Sequence, residues 1–319
     1  MQKYLITGCT GFVGKHFLKY LDDNEIPAQV LGIDINLPDE RQSDYKCIRW
    51  HYEVFDLLDT DKLSNIMFQF QPNLILHLAS YSSVAFSWKE PISSFQNNTN
   101  IFLNLLEAVR KLNLKARILS VGSSEEYGKV SEENLPLTED SPLMPVSPYA
   151  VARVSQELLS KIYVDGYGLD IIMTRSFNHL GSGQKEIFAL SSFAKQIVEI
   201  KKAGLEEGEL LVGDISVVRD FVDVRDVVSA YYLILQKGKR GEVYNVCTGR
   251  GISLEEIIKK MAALLGVKVR VRMGKKLMRP TDNSVIIGSN EKLKRETDWQ
   301  IRYSMEESLQ DVMAYWMQK

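Results

Sequence analysis

The 319-residue chain has few of the residues that build covalent or metal-held scaffolds: three cysteines, Cys9, Cys47 and Cys247, and four histidines. An odd cysteine count without C-x-x-C spacing or a companion histidine cluster suggests neither a disulfide framework nor a zinc site. A reducing compartment suits this composition, cytoplasm is the default localisation, and no metal is expected. Long apolar runs are missing too. "MQKYLITG" lacks the apolar core of a signal peptide, and no stretch approaches 18 uninterrupted apolar residues, so no membrane partner is expected. A formal net charge of -2 excludes a global field for nucleic acid or an anionic membrane, so anion binding must come from local sites. Lys201-Lys202 and Lys275-Lys276 are short runs that read as solvated faces.

With 45% hydrophobic and 25% charged residues, the chain can bury a full core in one large or two modest domains. Its first half alternates apolar runs with amphipathic segments: "KYLIT", a helix near 12–22, "AQVLGID", a helix near 60–70, "PNLILHLA", a helix near 95–112, then "ARILSVGSS". Strands apolar on both faces predict a parallel sheet covered by helices on both sides, an α/β doubly wound class. After the buried strand "LDIIMTR" the chain turns loop-like at "SFNHLGSGQKE". Residues 1–176 plus about 214–247 are expected to form the first domain. Residues 177–213 plus 248–319 are expected to form a smaller α/β substrate-binding domain that completes a site.

"LITGCTGFVG" puts Gly8, Gly11 and Gly14 between the first strand and a helix, where they permit a tight turn and close approach of backbone amides to a pyrophosphate. Asp34 closes the second strand about 20 residues later, placed to accept from both hydroxyls of a ribose and to repel a 2′-phosphate. The pattern is Rossmann-like and favours NAD(H), with NADP(H) possible. In "FDLLD", Asp56 and Leu57 are compatible with flanking an adenine. Farther on, "SPYAVAR" places Tyr149 and Arg153 at i, i+4 on one helix face, a phenol beside a fixed cation and a candidate acid. "VGSSEEYG" gathers hydroxyls and carboxylates at a strand end, as loop caps or as catalytic groups.

Together these motifs resemble the extended short-chain dehydrogenase/reductase family. The resemblance implies hydride transfer at a sugar carbon, with Tyr149 moving the hydroxyl proton and Ser123 holding the same oxygen. The family signature has lysine at position 153, where it binds the nicotinamide ribose and makes the tyrosine more acidic; this chain has Arg153, which keeps the charge on a broader, planar head. By the same resemblance, Phe12, Val13, Leu78, Ala79, Ser80 and Asn98 would line the cofactor.

"GSSEEYG", "SPYAVAR", "RSFNHLGSGQ", "VRDFVDVRDVV", "GEVYNVCTG", "RPTDNSVIIGSN" and "TDWQ" run in order over nearly the whole chain. They look like the branch of GDP-mannose 4,6-dehydratases and GDP-4-keto-6-deoxy-mannose reductases, with the reductases closest. That likeness implies a GDP-sugar partner. Asn178 would hold the diphosphate side, Arg219 and Arg279 would clamp phosphates, and Asp282 would contact the nucleotide; Ser82, Ser83, Ser124 and Lys195 would lie along the substrate. Glu125 matches the dehydratases' base but suits reductases equally. Ser182 stands where proline is usual, and Ile101-Phe102 where Gly-Thr is common. The expected activity is NAD(P)H-dependent reduction at C4 of a GDP-4-keto-6-deoxy-hexose. A GDP-sugar C4 dehydrogenase, dehydratase or epimerase with tightly bound NAD is the alternative, and an inactive nucleotide-sugar binder the second. The family also implies a homodimer or higher homo-oligomer.

Overall fold

Adjacent residues on each central strand bury into opposite layers, as the two-residue period of an extended chain dictates. In β1 (Gln2–Thr7), Leu5 faces one apolar cluster and Ile6 the other; Ile75 and Leu76, Ile118 and Leu119, and Ile171 and Ile172 repeat the division. The computed structural model describes residues 1–274, 277 and 283–319, so Arg279 and Asp282 lie outside the described residues.

The strands follow as β2 (Ala28–Asp34), β3 (Ile48–Val54), β4 (Leu74–His77), β5 (Arg117–Ser123), β6 (Asp170–Ser176), β7 (Asn178–Leu180), β8 (Glu207–Val212), β9 (Val218–Asp223), β10 (Val243–Val246), β11 (Gly251–Ser253), β12 (Lys268–Met273) and β13 (Val285–Ile286). The helices are α1 (Phe12–Asp23), α2 (Thr60–Phe70), α3 (Val84–Lys89), α4 (Pro91–Lys111), α5 (Pro148–Tyr167), α6 (Ala189–Lys202), α7 (Val224–Lys237), α8 (Leu254–Leu265), α9 (Glu291–Thr297) and α10 (Met305–Gln318).

Seven parallel strands form the main sheet in the order β10-β6-β5-β4-β1-β2-β3. This is the expected doubly wound, Rossmann-like sheet. α1 and α7 cover one face and α2, α4 and α5 the other. The strand order reverses between β1 and β4, so the crevice beyond their carboxyl ends is where such sheets bind ligands.

A second core gathers α6, α8 and α10 around β8 and β9. β9 lies between β11 and β13 and also pairs with β7, while β8 pairs with β12. β9 serves both cores: Phe221 joins the smaller one and Val222 the larger. Leu293 of α9 and Trp299 pack with the main sheet's cluster, although the sequence groups them with the second part. α4 begins at Pro91, earlier than its apolar pattern suggests, because proline suits the first helical position. Among the described residues, no helix is long and apolar enough to cross a membrane.

Candidate active site

The first part of the site is built by backbone. Gly8 turns the chain out of β1 with φ +71°, and a Cβ there would lie 2.7 Å from the Ala79 nitrogen, so the turn can rest against the segment after β4 only as glycine. Its amide donates to the Ile33 carbonyl at 2.8 Å, and the Gly11 amide donates to the Gly8 carbonyl at 3.1 Å. Gly11 caps α1 without a side-chain bond. Phe12, Val13 and Gly14 form the first turn, whose amides point over the glycine loop. Asp34 stands beside it: one carboxylate oxygen accepts from the Thr10 amide and the other from the Asn36 amide, each at 3.1 Å. The second oxygen also accepts from the Asn36 side-chain amide at 3.3 Å, so the oxygen facing Thr10 keeps a lone pair for a hydroxyl. A glycine cradle, an uncapped helix end and an aimed carboxylate fit a nicotinamide dinucleotide, with pyrophosphate on α1 and ribose on Asp34.

Around this turn, the Leu78 amide donates to the Thr7 carbonyl at 3.1 Å and the Ala79 amide to the Thr7 hydroxyl at 3.3 Å. The same hydroxyl meets His77 Nδ1 at 2.8 Å. Burial, then the Arg153 charge, lower His77 to about 3, so its ring is neutral. Leu57 is buried and its carbonyl is held by Asn104 at 3.1 Å. The Asp56 carboxylate accepts from the Leu58 amide at 2.9 Å.

The second part is built by side chains. Ser147 caps α5 by accepting from the Ala150 amide at 3.1 Å, and Pro148 opens the helix. This sets Tyr149 and Arg153 one turn apart, each 5% exposed. Arg153 donates to the Val121 carbonyl at 3.1 Å, to Gln156 Oε1 at 2.6 Å and to the Ser80 hydroxyl. Its guanidinium carbon lies 5.2 Å from the Tyr149 ring centre, a cation–π contact. One cation therefore ties together β5, the loop after β4 and the tyrosine. Ser123 ends β5 against the turn 124–127 on which α5 packs, and its hydroxyl accepts from the Glu125 amide at 3.2 Å. Ser124 is buried beside it and Glu125 is partly exposed.

The remaining expected residues have varied surroundings. Asn98 clasps the Tyr81 backbone, accepting from its amide at 2.8 Å and donating to its carbonyl at 3.2 Å, and so shapes the Ser80–Ser83 loop. Ser83 caps α3 through the Phe86 amide at 3.2 Å, while Ser82 is exposed. Asn178 on β7 and the buried Arg219 on β9 share the small sheet; Arg219 donates to the Val218 carbonyl at 2.8 Å. Lys195 pairs with Glu186 at 2.9 Å on the outer side of α6.

Sequence reasoning missed a polar floor beneath Tyr149. Glu157 accepts twice from Arg175 at 2.9 Å and once from Lys161 at 2.7 Å; Gln156 reaches the Ser120 hydroxyl at 2.9 Å. Burial alone would raise the Glu157 carboxyl, but Arg175 and then Lys161 hold it below its ordinary value. The available signal was the 153, 156, 157, 160 spacing, a polar stripe that reads as a solvated face and is buried here.

Comparison with known proteins agrees with this geometry. Residues 5–312 match the family model described as GDP-mannose 4,6 dehydratase. A GDP-6-deoxy-D-mannose reductase of Pseudomonas aeruginosa is 33% identical over 315 residues, 99% of this chain and 97% of that one. A GDP-mannose 4,6-dehydratase of Yersinia enterocolitica is 27% identical over 354 residues, covering 98% and 93%. The structure of RMD from Pseudomonas aeruginosa complexed with NADPH superposes with a TM-score of 0.86 at 33% identity, covering 100% of this chain and 99% of that one. A UDP-glucose 4-epimerase of Thermotoga maritima with UDP-glucose gives 0.87 at 27% identity, covering 99% of both. The protein is thus an NAD(P)-dependent nucleotide-sugar enzyme, and the chain belongs to the GDP-mannose 4,6-dehydratase family within the extended short-chain dehydrogenases/reductases.

Proposed function

We propose that the protein reduces the C4 keto group of a GDP-4-keto-6-deoxy-hexose. The observation that carries this reading is Arg153, bonded to Ser80 and lying over Tyr149 beside the nucleotide turn. When bound, the reduced nicotinamide supplies a hydride to C4. Tyr149 gives its hydroxyl proton to the C4 oxygen, completing the alcohol, and Ser123 donates a hydrogen bond to the same oxygen. Arg153 faces the tyrosinate left behind and is placed to hold the nicotinamide ribose. Asp34 favours NADH, whereas RMD from Pseudomonas aeruginosa is complexed with NADPH. Arg219 and Asn178, on neighbouring strands of the small sheet, would take the diphosphate.

A second reading rests on Glu125, partly exposed beside Ser123, as the base of a 4,6-dehydratase. Nicotinamide absorbance decides between them. With GDP-4-keto-6-deoxy-mannose, stoichiometric oxidation of NADH, faster than of NADPH, is expected. Oxidation of neither, with conversion of GDP-mannose in the absence of added reductant, would replace the reductase by the dehydratase.

A further inference from the structure

Two polar atoms in the floor beneath Tyr149 have no hydrogen-bond partner among the described residues. Glu126 is fully buried; its Oε1 accepts from the Ser123 amide at 2.7 Å, and its Oε2 has no partner among the described residues. Arg153 Nε, also buried, likewise has no partner among them. Both residues line one space with Ser120, Gly122, Gln156 and Thr174 that is too small to admit a water molecule. Gly122 makes the arrangement possible, because a Cβ there would overlap Glu126 Oε1. Buried open donors and acceptors are rare enough that each needs an explanation.

The charges around this space are distributed unevenly. Glu157 from α5 is engaged by Arg175 of β6 and by Lys161, whereas Arg153 donates to three neutral acceptors, the Val121 carbonyl, Gln156 and Ser80. Neutral His77 of β4 adds no charge. Glu126 is therefore the carboxyl placed to answer Arg153. Burial, then the Glu157 charge, push the Glu126 carboxyl up to about 8, against the Ser123 amide, Arg175 and Arg153, which pull it down.

We propose that Glu126 is a positioning residue: it holds the Ser123 strand end with one oxygen and competes for Arg153 with the other, setting where Arg153 sits over the cofactor. This rests on the reading of Arg153 as the nicotinamide-ribose cation. While Glu126 is neutral, Arg153 stays with Ser80 and Tyr149. Once ionised, Glu126 forms a charge-assisted bond to Nε and draws the guanidinium inward.

The test is NADH binding to the full chain, followed by nicotinamide fluorescence from pH 7 to 9. Wild-type affinity is expected to weaken about threefold to tenfold across that range. Glu126→Gln, which keeps an acceptor for the Ser123 amide, is expected to hold its pH 7 affinity throughout. The same pH dependence in both proteins overturns the proposal. Denaturant unfolding adds a second readout. A carboxyl raised on folding makes stability fall as pH rises from the ordinary carboxylate range to about 8. Glu126→Gln lacks that loss, so its stability relative to wild type is expected to rise between pH 5 and 9. A variant less stable by the same amount at every pH would show a mere structural brace. Neither readout needs turnover: if GDP-4-keto-6-deoxy-mannose is not reduced, the proposed function falls while the binding titration still decides this inference.

Discussion

The glycine turn after β1 and the polar floor beneath Tyr149 are two halves of one candidate site built on opposite principles. The turn draws its chemistry from backbone: the Gly11 amide bonds to the Gly8 carbonyl, the Gly8 amide to Ile33 on the strand beside it, and the α1 amides are left pointing outward. The floor draws its chemistry from side chains of α5, β5, β6 and the 124–127 turn, with Arg175 and Glu157 meeting across 18 positions and Arg153 reaching Ser80 across 73. A backbone device tolerates change in the side chains around it, whereas a side-chain device fails wherever one partner is removed.

That contrast can be tested at three depths. Tyr149→Phe keeps the packing and removes the proton, so turnover should fall roughly a hundredfold to ten-thousandfold with NADH binding retained; unchanged turnover would break the assignment of the floor to catalysis. Glu157→Gln should lower unfolding free energy by about 3 kcal/mol at neutral pH, because the buried Arg175 loses its countercharge. Since folding lowers the Glu157 carboxyl, its contribution is complete above the unfolded carboxylate range and disappears as pH falls through the folded value. Denaturant melts of both proteins should therefore converge on acidification, and a gap constant with pH would contradict the ion pair. The smallest effect belongs to the backbone half. Asp34→Asn should reduce the preference for NADH over NADPH about tenfold, roughly 1.4 kcal/mol, as measured by the ratio of kcat/KM values, with little effect on folding.

Much of the site was legible because its signals are local. Gly8, Gly11 and Gly14 announce a strand-to-helix turn, Asp34 follows at the end of the next strand, and Pro148 with Ser147 sets the start of α5 so that Tyr149 and Arg153 share a face. Other assignments required partners that spacing cannot supply. Asn98 was expected along the cofactor; the partners of its amide are both polar groups of the Tyr81 backbone 17 residues away. Lys195 was expected near the substrate, and its ion pair with Glu186 is formed across nine positions. Glu126 sits in the same "SSEEYG" stretch as Ser123 but reads as an ordinary loop charge until β6 and α5 close over it.

The sequence by itself determined the parallel α/β class, the order of strands and helices through the first half, and the glycine turn after β1, because period-two burial and glycine turns are properties of short contiguous segments. Only the tertiary structure decided which polar residues are buried. The stripe at Arg153, Gln156, Glu157 and Ser160 has the pattern of a solvated helix face and becomes the floor of the site, because its partners Ser80, Ser120 and Arg175 arrive from other strands and satisfy the charges that burial would otherwise forbid.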